Sequence, residues 1–235
     1  MSNLPLPAEM PELLYPNRTP TGNVKIDWSN KLAKGIVGMN LLYSGKGLEN
    51  LVADEKANWV NSYKQTTEGI DFRPNGYMQL VTGSRCEEVL RACNNFTITF
   101  IGLSFTGTSN LVVCEGGTLR GVSVLTTGAS GTITTVIGSY PEGWIEGTEV
   151  KNNGIPFNLT ITYDGTIQKI YYDGVLGETK AHTEKVGTKS WYLGSRLGTH
   201  SYFGTMIGYV VHDKALSEAG VNNLGANPYQ VLIPA

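Results

Sequence analysis

No apolar run in this chain approaches the twenty or so residues that a membrane-crossing helix needs, so no membrane partner is expected. Charge is scarce as well: Asp, Glu, Lys and Arg make up 16% of the 235 residues, with a formal net charge of −2. Lysines and arginines are scattered singly between acids, and without a basic stripe to neutralise phosphates no nucleic-acid partner is expected. Cysteine is nearly missing. The three present, Cys86, Cys93 and Cys114, cannot form a closed set of disulfides. None lies in a Cys-x-x-Cys pair or beside a histidine at ligand spacing, which suggests free thiols in a reducing compartment. The first residues, MSNLPLPAEMPELLYP, hold no basic leader and no apolar stretch of signal-peptide length, so export by that route is not expected. The Asn-x-Ser/Thr strings at Asn17, Asn95 and Asn158 then read as chance matches.

Catalytic and metal signatures are also lacking. His182, His200 and His212 show no metal-like i,i+2 or i,i+4 spacing, no Gly-x-Ser-x-Gly occurs, and no histidine neighbours a cysteine. No cofactor is expected.

Glycine is abundant, with 29 residues set among short runs of Thr, Val, Ile and Tyr. That balance favours an all-β domain with many tight turns. The clearest segment is FNLTITYDGTIQKIYYDG, Phe157 to Gly174. Its alternation sets Phe157, Leu159, Ile161 and Tyr163 on one face and Asn158, Thr160 and Thr162 on the other, as in a half-buried strand. Asp164-Gly165 and Asp173-Gly174 supply hairpin turns, and that role accounts for both aspartates without calcium.

Residues 1–23 form a proline-rich extended arm, with Pro5, Pro7, Pro11, Pro16 and Pro20 barring helix and central strand. Leu4, Leu6, Met10, Leu13, Leu14 and Tyr15 make it more apolar than a solvated linker, so a partner-docking strap stands beside a self-packed terminus as its reading. Residues 24–235 form the globular domain. Trp28 is expected as a core anchor, and Leu51 to Ile70 reads as irregular. Ser84 and Glu87 have capping-box spacing, with Glu87 and Arg91 at i,i+4, so a short helix is predicted there. In FTITFIGLSF the apolar phase reverses after Phe100, which a bulge near Gly102 would reconcile. NLVVCE, LRGVSVL and GTITTVIG follow at the spacing of sandwich strands. Ser217 is expected to cap a last helix carrying Val221 and Leu224 inward, ended by Gly225 and Pro228.

The strings NLTITYDG at Asn158, IYYDG at Ile170, Leu193-Gly, Phe203-Gly and DKALS at Asp213 resemble the second half of concanavalin A-like, laminin G-like jelly-roll domains. VKIDWSNKLAKGIVGMNLLY at Val24 and NPYQVL at Asn227 make the chain similar to such domains in virion proteins of tailed bacteriophages and prophages. The resemblance covers about Val24 to Ala235. It implies an antiparallel two-sheet jelly-roll sandwich with one or two short helices. Gly220 stands where the family's capping glutamate is usual.

Glycosidases of that superfamily carry Glu-x-Asp-x-Glu on one strand, with two carboxylates about 5–5.5 Å apart for retention. PEGWIEGTE holds Glu142 and Glu146 at that spacing but puts Trp144 at the central acid, and Pro141, Gly143 and Gly147 suggest a loop. The chain is therefore expected not to be an enzyme. Tyr140, Trp144, Trp191, Tyr192 and Tyr202 lie in or near loops and are the candidate glycan platform. The expected function is that of a homo-oligomeric virion component, assembled in the host bacterial cytoplasm. It would decorate or cement the capsid through its surface and arm, with the major capsid protein the first-choice partner and a tail protein the second. The alternative is a tail-associated module that binds a host glycan or receptor, and the third reading is a polysaccharide-degrading enzyme.

Overall fold

The structure is a computed structural model. It describes residues 20, 23–42, 51–52, 57–60, 64–66, 69–72, 76–80, 83–105, 110–115, 120–127, 132–139, 143–150, 154–183, 191–196, 200–201 and 204–235. Along the chain the first elements are β1 (Val24–Ile26), β2 (Ile36–Leu41), β3 (Ala57–Val60), β4 (Lys64–Thr66), β5 (Gly69–Asp71), β6 (Tyr77–Leu80) and α1 (Arg85–Ala92). Next come β7 (Phe96–Leu103), β8 (Asn110–Glu115), β9 (Arg120–Thr127), β10 (Thr132–Ser139), β11 (Trp144–Val150), β12 (Phe157–Tyr163), β13 (Ile167–Tyr172) and β14 (Val175–Ala181). The last are β15 (Trp191–Leu193), β16 (Ser195–Arg196), β17 (His200–Ser201), β18 (Thr205–Met206), β19 (Gly208–His212), α2 (Glu218–Ala226) and β20 (Leu232–Pro234).

Two antiparallel sheets form the sandwich. One has seven strands in the order β11-β10-β9-β8-β15-β6-β3, the other six in the order β14-β13-β12-β7-β19-β2. The all-β sandwich with two helices is as the sequence implied. Between the sheets lies a core built by alternate residues, among them Phe96, Ile98 and Phe100 of β7 and Leu159, Ile161 and Tyr163 of β12. At Gly102, φ is +58° and the β12–β7 register shifts between Phe157 and Leu159, so the expected bulge is present. Ile101 thereby turns outward while Leu103 and Phe105 return to the core.

The threonine face of β12 is not solvated. Thr160 and Thr162 are buried; Thr160 Oγ1 lies 2.9 Å from Thr99 Oγ1, and Thr97 Oγ1 donates to the Lys214 carbonyl at 2.9 Å. Segment 213–217 covers this face, and α2 packs against β12 and β14. A second core on the same side joins Ile26, Met39, Leu41, Ile101, Val210, Tyr229 and Leu232.

The turns are as expected. Asp173 and Gly174 have φ of +51° and +86°, a two-residue turn that needs positive φ at both positions. Asp164 Oδ1 accepts from Thr166 N, Thr166 Oγ1 and Ile167 N at 2.7–2.9 Å. Burial acts to raise the Asp164 carboxyl, but these donors outweigh it and hold it below its ordinary value.

Both helices form where their caps lie. Ser84 Oγ accepts from Glu87 N, and the buried Glu87 carboxylate accepts from Gly83 N at 3.2 Å and meets Arg91 Nε at 3.1 Å. Ser217 Oγ accepts from Gly220 N at 3.3 Å, so the last helix is capped without the glutamate. Its Gly225 rests on the second Asp-Gly turn, where an added Cβ would stand 2.3 Å from Gly174 N. Gly225→Ala is accordingly expected to destabilise the fold by about 1–3 kcal/mol, the usual cost of overpacking. A urea midpoint equal to that of the wild type would show that α2 is not docked this closely.

Three expectations are corrected. Trp28 is 54% exposed, since it sits in the turn after β1 with its neighbours Asp27 and Ser29 bonded to each other, and anchors no core. Leu51 to Ile70 contains β3, β4 and the start of β5, strands too short to show alternation. Trp144 to Val150 is a strand rather than a loop; Gly147 fits it because Tyr172 Oη comes within 2.0 Å of where a Cβ would stand. Among the described residues no helix is long and apolar enough to cross a membrane.

Candidate functional site

Strand alternation decides which aromatic side chains reach the surface. In β15, Trp191 and Leu193 are buried in the core, so Tyr192 between them faces outward, half-buried. Met78 and Leu80 of β6 are likewise buried, which turns Tyr77 and Gln79 to the same outer face of the seven-stranded sheet. Tyr192 pairs directly with Gln79, and the Tyr77 and Tyr192 rings meet edge-on at 5.6 Å and 74°. The result is two half-exposed rings beside an amide, held by rigid strands. Such a group offers ring surface for the C–H face of a sugar and an amide for its hydroxyls.

At the far edge of the same face is a second group. Ile145 is buried, so Trp144 and Glu146 point outward, one half-exposed and the other exposed. Lys180 Nζ of β14 donates to the Trp144 carbonyl at 2.5 Å, tying the other sheet's edge strand to the start of β11. Tyr192 and Trp144 are four strands apart, about 19 Å at the usual inter-strand spacing. Between them Ser123 is fully buried although it faces outward, so the face is not an open trough across its width.

Of the expected platform, Tyr192 and Trp144 thus share a face without touching. Trp191 is corrected: at 2% exposure it fills the core, because its neighbour takes the outward position. Tyr140 and Tyr202 lie outside the described residues, as do Glu142 and the arm residues Leu4, Leu6, Met10, Leu13, Leu14 and Tyr15. The sequence reading missed Tyr77 and Gln79. Their signal was the alternation in GYMQL, which places them together once Met78 is assigned to the core. Cys86 and Cys93 are buried thiols that form no disulfide, and Cys93 Sγ donates to the Leu90 carbonyl at 3.1 Å. Among the described residues no three His, Cys, Asp or Glu side chains come together as a metal site.

No family model matches the chain, and no curated protein matches it. Solved structures do. A sialidase from Trypanosoma rangeli matches over 83% of this chain and 33% of its own, at 16% identity and a TM-score of 0.65. Domain 4 of an extracellular GH43 arabinanase from Geobacillus stearothermophilus, in complex with arabinotriose, matches over 81% of this chain and 98% of its own (15% identity, TM-score 0.64). The binding domain of botulinum neurotoxin DC, in complex with SialylT, matches over 85% and 52% (11% identity, TM-score 0.63). The fold recurs among sugar-handling proteins.

Identity this low establishes the sandwich, and no residue's role carries over with it. The chain spans about a third of the sialidase's length. The expectation that the chain is no enzyme is nonetheless overturned. Sialidase and arabinanase are enzymes by name, so the shared fold gives no ground for setting catalysis aside. The missing central acid at Trp144 argues against one glycosidase signature only. These structures bear on the sandwich part of the resemblance and carry no phage or virion counterpart.

Proposed function

We propose that the chain is a glycan-binding module whose platform is Tyr77, Gln79 and Tyr192. The observation that carries this reading is the pairing of Tyr192 with Gln79 beside the half-exposed Tyr77 ring on one sheet face. Rings held on paired strands lose little conformational entropy when a sugar docks, which suits weak, shape-based recognition. The complex of the arabinanase's domain 4 with arabinotriose supports the class of ligand, since 98% of that domain is matched by this chain. We prefer this reading to capsid decoration because a domain in complex with a sugar is among the structures that this chain resembles. A virion tail remains one setting in which such a module would work.

A glycan array followed by titration calorimetry tests the platform. Tyr192→Ala is expected to weaken binding of the best array hit about tenfold, or 1.4 kcal/mol. Retention of no glycan at all, or an unchanged affinity in Tyr192→Ala, would exclude it.

A further inference from the structure

We propose a second, separate sugar subsite at the β10–β11 edge, formed by Trp144, Glu146 and Thr134 and selective for a neutral sugar unit. It rests on the glycan-binding reading above. Thr134 of β10 pairs directly with Glu146 of β11, which sets their Cβ atoms about 4.5–5.5 Å apart on the outer face. Trp144 stands on the same face two residues before Glu146, within reach of Thr134 for a ring of its size.

Thr134 is the pointer to a ligand. Its side chain is fully buried, and its Oγ1 has no hydrogen-bond partner. A buried hydroxyl left unpaired is costly, and a ligand that supplies its partner recovers that cost. Nothing in the fold requires the hydroxyl, since the inward neighbours Ile133 and Thr135 serve the core, Thr135 by accepting from Gln168 Nε2 at 2.5 Å. Thr134 is fully buried, so reaching it requires outer-face side chains to change rotamer on binding, an ordinary event at binding surfaces.

The three groups define a ligand class. Trp144 supplies an aromatic face, the exposed Glu146 carboxylate accepts from sugar hydroxyls, and Thr134 donates or accepts one bond more. A carboxylate at this place repels an acidic sugar, so the unit is neutral. Four strand spacings, about 19 Å, part this subsite from the Tyr192 platform, and the buried Ser123 lies between. The two therefore hold separate units of one long glycan or separate glycans.

The test uses the full chain with maltohexaose, cellohexaose and arabinotriose as neutral probes and 3′-sialyllactose as the acidic one. Binding is read by calorimetry and by the indole resonance of Trp144, assigned through Trp144→Ala. A neutral probe is expected to shift that resonance, Trp144→Ala to weaken its binding about tenfold, and Thr134→Val about fivefold. Thr134→Val should keep a Tm at or above that of the wild type, because it removes an unpaired hydroxyl. Neutral-probe affinity unchanged in both variants, or tighter binding of sialyllactose, overturns the subsite and leaves the Tyr192 platform standing. If no probe binds and Tyr192→Ala is also silent on the array, the platform falls with it.

Discussion

Trp191→Ala is expected to destabilise the domain by about 3–5 kcal/mol, the usual cost of truncating a fully buried large aromatic. Trp191 is 2% exposed and lies 5.7 Å from Tyr209, centroid to centroid, in the middle of the sandwich. Its indole N–H has no hydrogen-bond partner, so the side chain contributes through volume and apolar contact rather than through a polar bond. Trp191→Phe keeps most of that volume and discards the unpaired donor, and should cost no more than about 1.5 kcal/mol. Tyr192→Ala, one residue on, removes a half-exposed ring and should cost less than Trp191→Ala while weakening glycan binding. Urea unfolding of the three variants, followed by far-ultraviolet circular dichroism, separates these roles. A wild-type midpoint in Trp191→Ala together with lost glycan binding would return Trp191 to the platform and invalidate the face assignment for β15.

Adjacent residues on one strand show how far the sequence could be read. Alternation states that Trp191 and Tyr192 point opposite ways, but it does not say which way is inward; only pairing of β15 with β6 and β8 decides that. Where local chemistry demands a particular backbone the sequence was sufficient. Asp173-Gly174 must turn, Ser217 must cap, and the phase reversal at Ile101 must be absorbed by a bulge at Gly102. Burial of the threonine face was not legible, because it depends on segment 213–217 folding back over β7 and β12 from more than fifty residues away. Thr134 escaped for a related reason: a buried, unpaired hydroxyl looks like any strand threonine until its neighbours are in place.

Burial of His212 makes the stability of this domain depend on pH. His212 ends β19 on the outer face of the six-stranded sheet, and its Nε2 lies 2.8 Å from the Leu32 carbonyl. That carbonyl can only accept, so Nε2 carries the proton of the neutral ring. Nδ1 is buried without a hydrogen-bond partner, and a second proton there would place a charge in an apolar site. Burial is the largest cause pushing the imidazole down from 6.5 to about 4, with Lys214 adding to it; the Leu32 carbonyl and Asp213 pull the other way. The native state thus holds His212 neutral, while the unfolded chain takes up a proton near pH 6.5. Between these values the unfolded state binds more protons, so stability is full above about pH 7 and falls as the pH drops towards 4. A shift of this size corresponds to about 3 kcal/mol lost across the window. His212→Gln, which keeps a donor for the Leu32 carbonyl and cannot titrate, should flatten the curve between pH 7 and 5, leaving the carboxylates to set its slope below that. Denaturant midpoints at pH 7.5, 6, 5 and 4.5 read the effect directly. An equal slope in both proteins over pH 7 to 5 would assign the dependence to other groups and remove His212 as its source.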